Sequence, residues 1–201
     1  MKSVKKLFIT KALYLTYLEE LGDIQANLIF NDADDEYVKL IKNDDGSQKN
    51  VKKYVYPLIA VYHASSRYLT NAITLHLFNL GGKRTGRKLG RRYEFVTSLP
   101  FSTKIIWRHF DAILNKYSSS SKGYQCEYPK LENGIKGVNI TVCPFHEKFK
   151  ELNAEEACCY ICRMDQISSS RYRKIEFTRE HALGEGDKYC DYRYKYNKHK
   201  K

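Results

Sequence analysis

The hydrophobic period of this chain first changes at residues 118–123, and that change limits the fold more than any single motif. Up to Tyr117 apolar residues recur at helical spacing; beyond Gly123 they alternate with polar ones, as on strands with one buried face. Between the two regimes stands SSSSKG, residues 118–123, a run of turn formers without apolar content. At 201 residues and 42% apolar content the chain can build one domain with a sizeable core. The order of patterns predicts an α+β fold: a mainly helical half (1–120), then an antiparallel sheet with two inserted helices (121–196) and a basic tail (197–201).

In chain order, Val4, Leu7, Phe8, Tyr14, Leu15, Leu18 and Leu21 line one face of a first helix that Gly22 ends. Its basic opening resembles a signal peptide, but Lys11 interrupts the apolar part and no small-residue cleavage pattern follows, so it reads as a helix of the mature protein. No run reaches the roughly 18 apolar residues of a membrane span. Asn31 to Asp35 reads as an acidic turn capping a second helix with Tyr37, Leu40 and Ile41 inward, and Asn43 to Asn50 as a surface loop. Val55 to Leu80 reads as one long buried helix, started near Pro57 and stopped by Gly81-Gly82, with His63 and His76 as hydrogen-bonded core or boundary residues. Phe101 to Tyr117 gives one further helix. YQCEY and GVNITV read as a strand pair, CPFHEKFKEL and AEEACCYICRMDQI as two helices, and Arg173 to His181 with Tyr189 to Tyr196 as a closing hairpin around LGEGD.

Thirty-five Lys and Arg against 23 Asp and Glu give a net charge of +12, which draws anions from a distance. One basic group is Lys83, Arg84, Arg87, Lys88, Arg91 and Arg92; another is the tail Lys195, Lys198, Lys200 and Lys201. Neither carries a nucleic-acid-binding motif, so the expected partner is a small carboxylate substrate guided by a solvated basic face, with nucleic acid disfavoured. Oligomeric state is written in none of these features.

Five of the six cysteines lie between Thr141 and Tyr194. Their clustering at Cys158, Cys159 and Cys162 suits thiols or metal ligands in a reducing cytoplasm better than a disulfide framework. On one helix Cys158, Cys162 and Asp165 share a face. Cys143 directly precedes a helix start, where the positive end of the dipole favours a thiolate, and Cys190 opens the last strand beside Asp191. Three readings stay open: a zinc site of Cys143, Cys159, Cys162 and Cys190; small buried thiols; or a catalytic set in which a thiolate or carboxylate attacks a small electrophile while Arg179 neutralises a carboxylate.

The order Cys143-Pro144-Phe145, Cys162-x-x-Asp165, Phe177-x-Arg179, Gly186 and Cys190-Asp191-Tyr192-Arg193-Tyr194 resembles the C-terminal part of the L-2-amino-thiazoline-4-carboxylic acid hydrolase family. The specific match covers roughly residues 141 to 194; the region from Tyr56 to Tyr117 is similar in character. His181-Ala182-Leu183 stands where the family often has Thr-Leu, and Cys126, Cys158 and Cys159 match no part of the pattern. The Gly-x-x-x-Cys ending is more distantly similar to 4-vinyl-reductase-type small-ligand domains. The resemblance implies a hydrolase that opens a small cyclic isothiourea or amidine bearing a carboxylate at a carbon–nitrogen or carbon–sulfur bond, without a cofactor. It implies Cys143, Cys162, Asp165, Cys190 and Asp191 as catalytic candidates, and Arg179, Arg193, His146 and His181 as substrate-binding ones. The alternative is a non-enzymatic small-ligand sensor, with zinc as an accessory.

Overall fold

The structure, a computed structural model, describes residues 2–44 and 46–200; Met1, Lys201 of the basic tail and Asp45 of the surface loop lie outside the described residues. Helices dominate the first part of the chain and a four-stranded antiparallel sheet the second, so the fold is α+β. The chain divides into two compact units interleaved in sequence: Met1–Thr85 with Phe145–Arg163, and Gly86–Pro144 with Met164–Lys201.

In the first unit, α1 (Phe8–Leu21) ends at Gly22, as its sequence predicts, and α2 (Asp23–Lys42) follows at once. The acidic run 31–35 is no turn: it lies inside α2. The apolar period Ala26, Ile29, Phe30, Ala33 continues inward through it, while Asp32 takes a hydrogen bond from the Tyr68 hydroxyl at 2.7 Å and an ion pair with Arg67 at 3.2 Å. Phe30 packs edge-on against Tyr14 and Tyr17, 5.0 and 5.4 Å away. After α3 (Lys49–Tyr54), α4 (Tyr56–Ser65) carries Pro57 in its first turn and is buried from Tyr56 to Val61.

The long helix expected over 55–80 is two helices. Thr70 breaks it by capping α5 (Asn71–Ser98), accepting the Ile73 N–H on its hydroxyl. Far from stopping at Gly81-Gly82, α5 runs through them and through Gly86 and Gly90. Two of these glycines, Gly82 and Gly86, are where helix α9 (Cys159–Ser169) approaches: a β-carbon at Gly82 would stand 2.6 Å from the Tyr160 carbonyl oxygen in the first unit. In the second unit a β-carbon at Gly86 would stand 2.7 Å from the Met164 carbonyl and 2.9 Å from the Ile167 β-carbon. Each glycine costs a helix about 1 kcal/mol relative to alanine, and the close backbone approach offsets it.

The second unit also holds α6 (Ser102–Arg108) and α7 (Phe110–Tyr117), two helices where one was expected, divided at His109. Its sheet has the order β1 (Gln125–Glu127), β2 (Ile135–Val142), β4 (Cys190–Tyr196), β3 (Ile175–Thr178). Both expected strand pairs form. The register sets Val138 against Tyr192, Ile140 against Cys190, and Phe177 against Tyr194. With a side-chain period of two, Val138, Ile140, Cys190, Tyr192, Tyr194, Ile175 and Phe177 therefore share one face, and Asn139, Asp191 and Arg193 the other. Phe110 of α7 covers the first face, packing on Ile175 and Tyr194 with ring centroids 4.6 Å apart in the latter pair. The Lys136 ammonium ties β2 to α7 through Asp111 at 2.6 Å. The remaining inserted helix, α8 (Pro144–Glu151), starts at Pro144 as its sequence predicts.

Gly86→Ala raises intrinsic helix propensity yet drives a β-carbon into backbone. It is expected to destabilise the protein by about 1–3 kcal/mol in urea denaturation; a gain in stability would show that the approach of α5 to α9 is slack.

Candidate functional site

The covered face of the sheet gathers the polar chemistry of the second unit. Asp165 comes from α9, and α9 is held against α5 at Met164 and Ile167 on either side of it. Its carboxylate accepts a hydrogen bond from the Tyr192 hydroxyl of β4 at 3.4 Å. Arg179 follows β3 in the same alternation as Ile175 and Phe177, which aims it toward this face. Its guanidinium stands 5.9 Å over the Tyr192 ring and 3.8 Å from the Glu185 carboxylate, with the side chain only 2% exposed. Such enclosure makes the charge an unusually directed one, because little water screens it.

Burial is the largest influence on Asp165 and pushes its carboxyl up to about 6; the Arg179 charge and then the Tyr192 hydroxyl pull the other way without cancelling it. Counted with its backbone, the residue is half-buried, and the carboxyl itself is recessed. Tyrosines surround it. Tyr93 is raised to about 12, and Tyr124, Tyr172 and Tyr194 further, each by burial first and with the Asp165 charge among the lesser causes. Tyr93 and Tyr172 stack in parallel at 4.9 Å.

Tyr124 links this carboxyl to the thiols. Cys143, Cys126, Tyr124, Leu183 and Tyr192 pack around a buried cluster of Val138, Ile140, Ala182 and Cys190. The Cys190 sulfur accepts the Leu183 N–H at 3.2 Å, fastening the turn that follows β3. Gly186 takes φ +93° in that turn, a conformation that favours glycine. Cys126 donates to the Ser118 carbonyl at 3.3 Å, and burial pushes its thiol up.

Other candidates serve different surroundings. Asp191, on the opposite face from Cys190, accepts the backbone N–H groups of Glu180 at 3.0 Å and His181 at 2.5 Å. Arg193, on that same opposite face, donates to the Val138 carbonyl at 3.2 Å and to Asn139 at 2.6 Å. His181 faces Asp187 at 3.6 Å. In the first unit, Cys162 is buried with its sulfur 4.0 Å from that of Cys158, burial pushes Cys159 up to about 12, and His146 lies 3.2 Å from Glu155. His63 bonds the Leu152 carbonyl at 3.0 Å, whereas His76 is exposed. Among the described residues no group of three or more His, Cys, Asp or Glu is arranged to hold a metal ion, the four-thiolate set included. A surface cavity of about 260 Å³ in the second unit, lined by Asp111, Tyr128, Leu131 and Lys136 among others, contains none of these candidates. Among the described residues no helix is long and apolar enough to cross a membrane.

Sequence reasoning names Arg179 but not Tyr192 and Tyr124, nor the burial of the Arg179 side chain. The signal was present: once β3 and β4 are aligned, alternation alone places Tyr192 with Cys190 and Arg179 and apart from Asp191 and Arg193.

Fold and site together define an α+β protein with a recessed carboxyl, an enclosed guanidinium and a thiol cluster on one face of an antiparallel sheet. The chain belongs to the L-2-amino-thiazoline-4-carboxylic acid hydrolase family, whose model matches residues 48–194, and this supports a hydrolase-type function. The match runs from just before α3 to Tyr194 in β4, so it takes in the helical region as well as the cysteine-bearing segment. Searches of curated proteins and of solved structures returned no significant match.

A carboxyl whose proton is held more tightly in the folded protein stabilises the fold below its unfolded pKa, and that contribution is lost as pH rises through the folded value. For Asp165 the window is about pH 4 to 6, and the loss about 2–3 kcal/mol. Asp165→Asn is therefore expected to be the more stable protein at pH 7.5, with a Tm several degrees higher, and to lack this fall in stability. Identical pH profiles for the two proteins would show that Asp165 is solvated.

Proposed function

We propose that this chain hydrolyses a small cyclic isothiourea or amidine carrying a carboxylate, of which L-2-amino-thiazoline-4-carboxylate is the first to test. The supporting observation is the pairing of unlike groups on one sheet face: the Asp165 carboxyl, poised near 6 beside the Tyr192 hydroxyl, and the enclosed Arg179 guanidinium. A zwitterionic substrate matches both, its carboxylate meeting the planar fork of Arg179 and its amidine end meeting Asp165 and the tyrosine rings.

In this reading the Cys143 thiolate adds to the carbon between ring nitrogen and sulfur. The carbon–sulfur bond breaks as Asp165 gives its proton to the departing sulfur, leaving the carbon bonded to Cys143. Water then adds to that carbon, losing its proton to the Asp165 carboxylate; the Cys143 thiolate leaves, and the product is a carbamoyl-cysteine. The sum is substrate plus one water, with thiolate and acid both regenerated. Asp191 and Arg193 act as positioning residues for the turn and the strand pair, and Cys190 fastens the wall behind Cys143.

Turnover of L-2-amino-thiazoline-4-carboxylate by purified protein tests this. Cys143→Ser and Asp165→Asn are each expected to lower kcat by about 100-fold or more while remaining folded. Arg179→Lys keeps the charge but loses the fork, and KM should rise about tenfold or more. Activity retained in folded Cys143→Ser would replace the thiolate by a water activated on Asp165. Binding of the ligand by folded wild type without turnover would make the domain a sensor.

A further inference from the structure

Beyond this activity, we propose that the C-terminal turns of α5 and the turn leading into α6 dock on an anionic membrane surface. Arg87, Lys88, Arg91 and Arg92 are all exposed, and at 100° per residue they point to the same side of α5 as Phe95 and Val96, with Leu99 directly past the helix end. The opposite side holds Gly86, Gly90 and Thr97, which are buried. Along α5 the outward residues sort by position, two turns of cations and then Phe95 and Val96, and the chain past the helix adds further exposed apolar residues. Phe95 is 67% exposed, Phe101 75% and Ile105 57%, and Val96 and Leu99 are also open to solvent. Five exposed apolar residues within eleven positions of chain, directly after a dense basic belt, mark an interaction surface.

Phe101 adds a second observation. Its φ of +62° is left-handed, a conformation that a bulky residue adopts at a steric cost, and no packing compensates a ring that stands in water.

Charge decides among occupants. A second copy of this chain would set one basic belt against another, and a nucleic acid would satisfy the arginines while leaving Phe95 and Ile105 in water. The headgroup region of an anionic bilayer satisfies both halves, since apolar tips enter the boundary to about 5–10 Å while cations meet phosphates and carboxylates above it. Arg91 lies one helical turn, about 6 Å, behind Phe95, which suits that layering.

Flotation of the full chain with vesicles of phosphatidylcholine, with and without phosphatidylserine, tests the proposal. Partition should be at least tenfold stronger onto the anionic vesicles and should fall with added salt. Arg87→Gln with Arg91→Gln should weaken it by roughly thirtyfold. Phe101→Gly suits the left-handed backbone, so it should keep the fold, checked by thermal melting, and still lose about tenfold in binding. Absence of any preference for phosphatidylserine, unchanged binding by Phe101→Gly, or binding to heparin with none to vesicles would each overturn it.

Discussion

A helix can rest against its neighbour's backbone only where it carries no side chain, and α5 meets α9 on such terms at Gly86. No β-carbon fits there, because the Met164 carbonyl and the Ile167 side chain already occupy the space. Those two residues bracket Asp165, so the contact that forbids a side chain on α5 fixes the turn of α9 that bears the carboxyl. The basic, glycine-spaced stretch of α5 therefore has a structural office distinct from its charge: Gly82 and Gly86 face α9, while Arg87, Arg91 and Arg92 face solvent.

Strand alternation then sorts the chemistry. In Cys190-Asp191-Tyr192-Arg193-Tyr194 neighbouring residues cannot share a face, and the register decides which alternate set joins Asp165. Cys190 and Tyr192 do, together with Arg179. Asp191 and Arg193 bind backbone groups and hold the frame. What results is a carboxyl and a guanidinium enclosed on the same face among tyrosine rings, where each charge is felt more strongly than in water and neither is fully neutralised by the other.

Much of this was legible in the residues. Alternation beyond Gly123 gave the strand pairs and the closing hairpin, and Pro144 marked a helix start where one exists. The resemblance pointed to Cys143, Cys162, Asp165, Cys190, Asp191, Arg179, Arg193, His146 and His181, of which Cys162 and His146 lie in the first unit and the others in the second. The misses have physical causes. Paired glycine was read as a stop, but glycines at 82, 86 and 90 recur every fourth residue and so form a stripe on one helical side, which a local rule about glycine does not see. The acidic run 31–35 resembles a cap locally because the partners of Asp32, Arg67 and Tyr68, are far away in sequence. Helical spacing put Cys162 and Asp165 on one face of α9, yet it could not show that Cys162 packs beside Cys158 in the first unit while Asp165 meets Tyr192 in the second.

The central claim is that Asp165 is a recessed, ligand-facing acid. Its carboxyl can be titrated directly by carbon NMR of the labelled protein, using Asp165→Asn for assignment, with and without L-2-amino-thiazoline-4-carboxylate. The expected result is titration near 6 in the free protein and a displaced midpoint when the ligand is present. Titration near 4, unmoved by the ligand, would contradict the account.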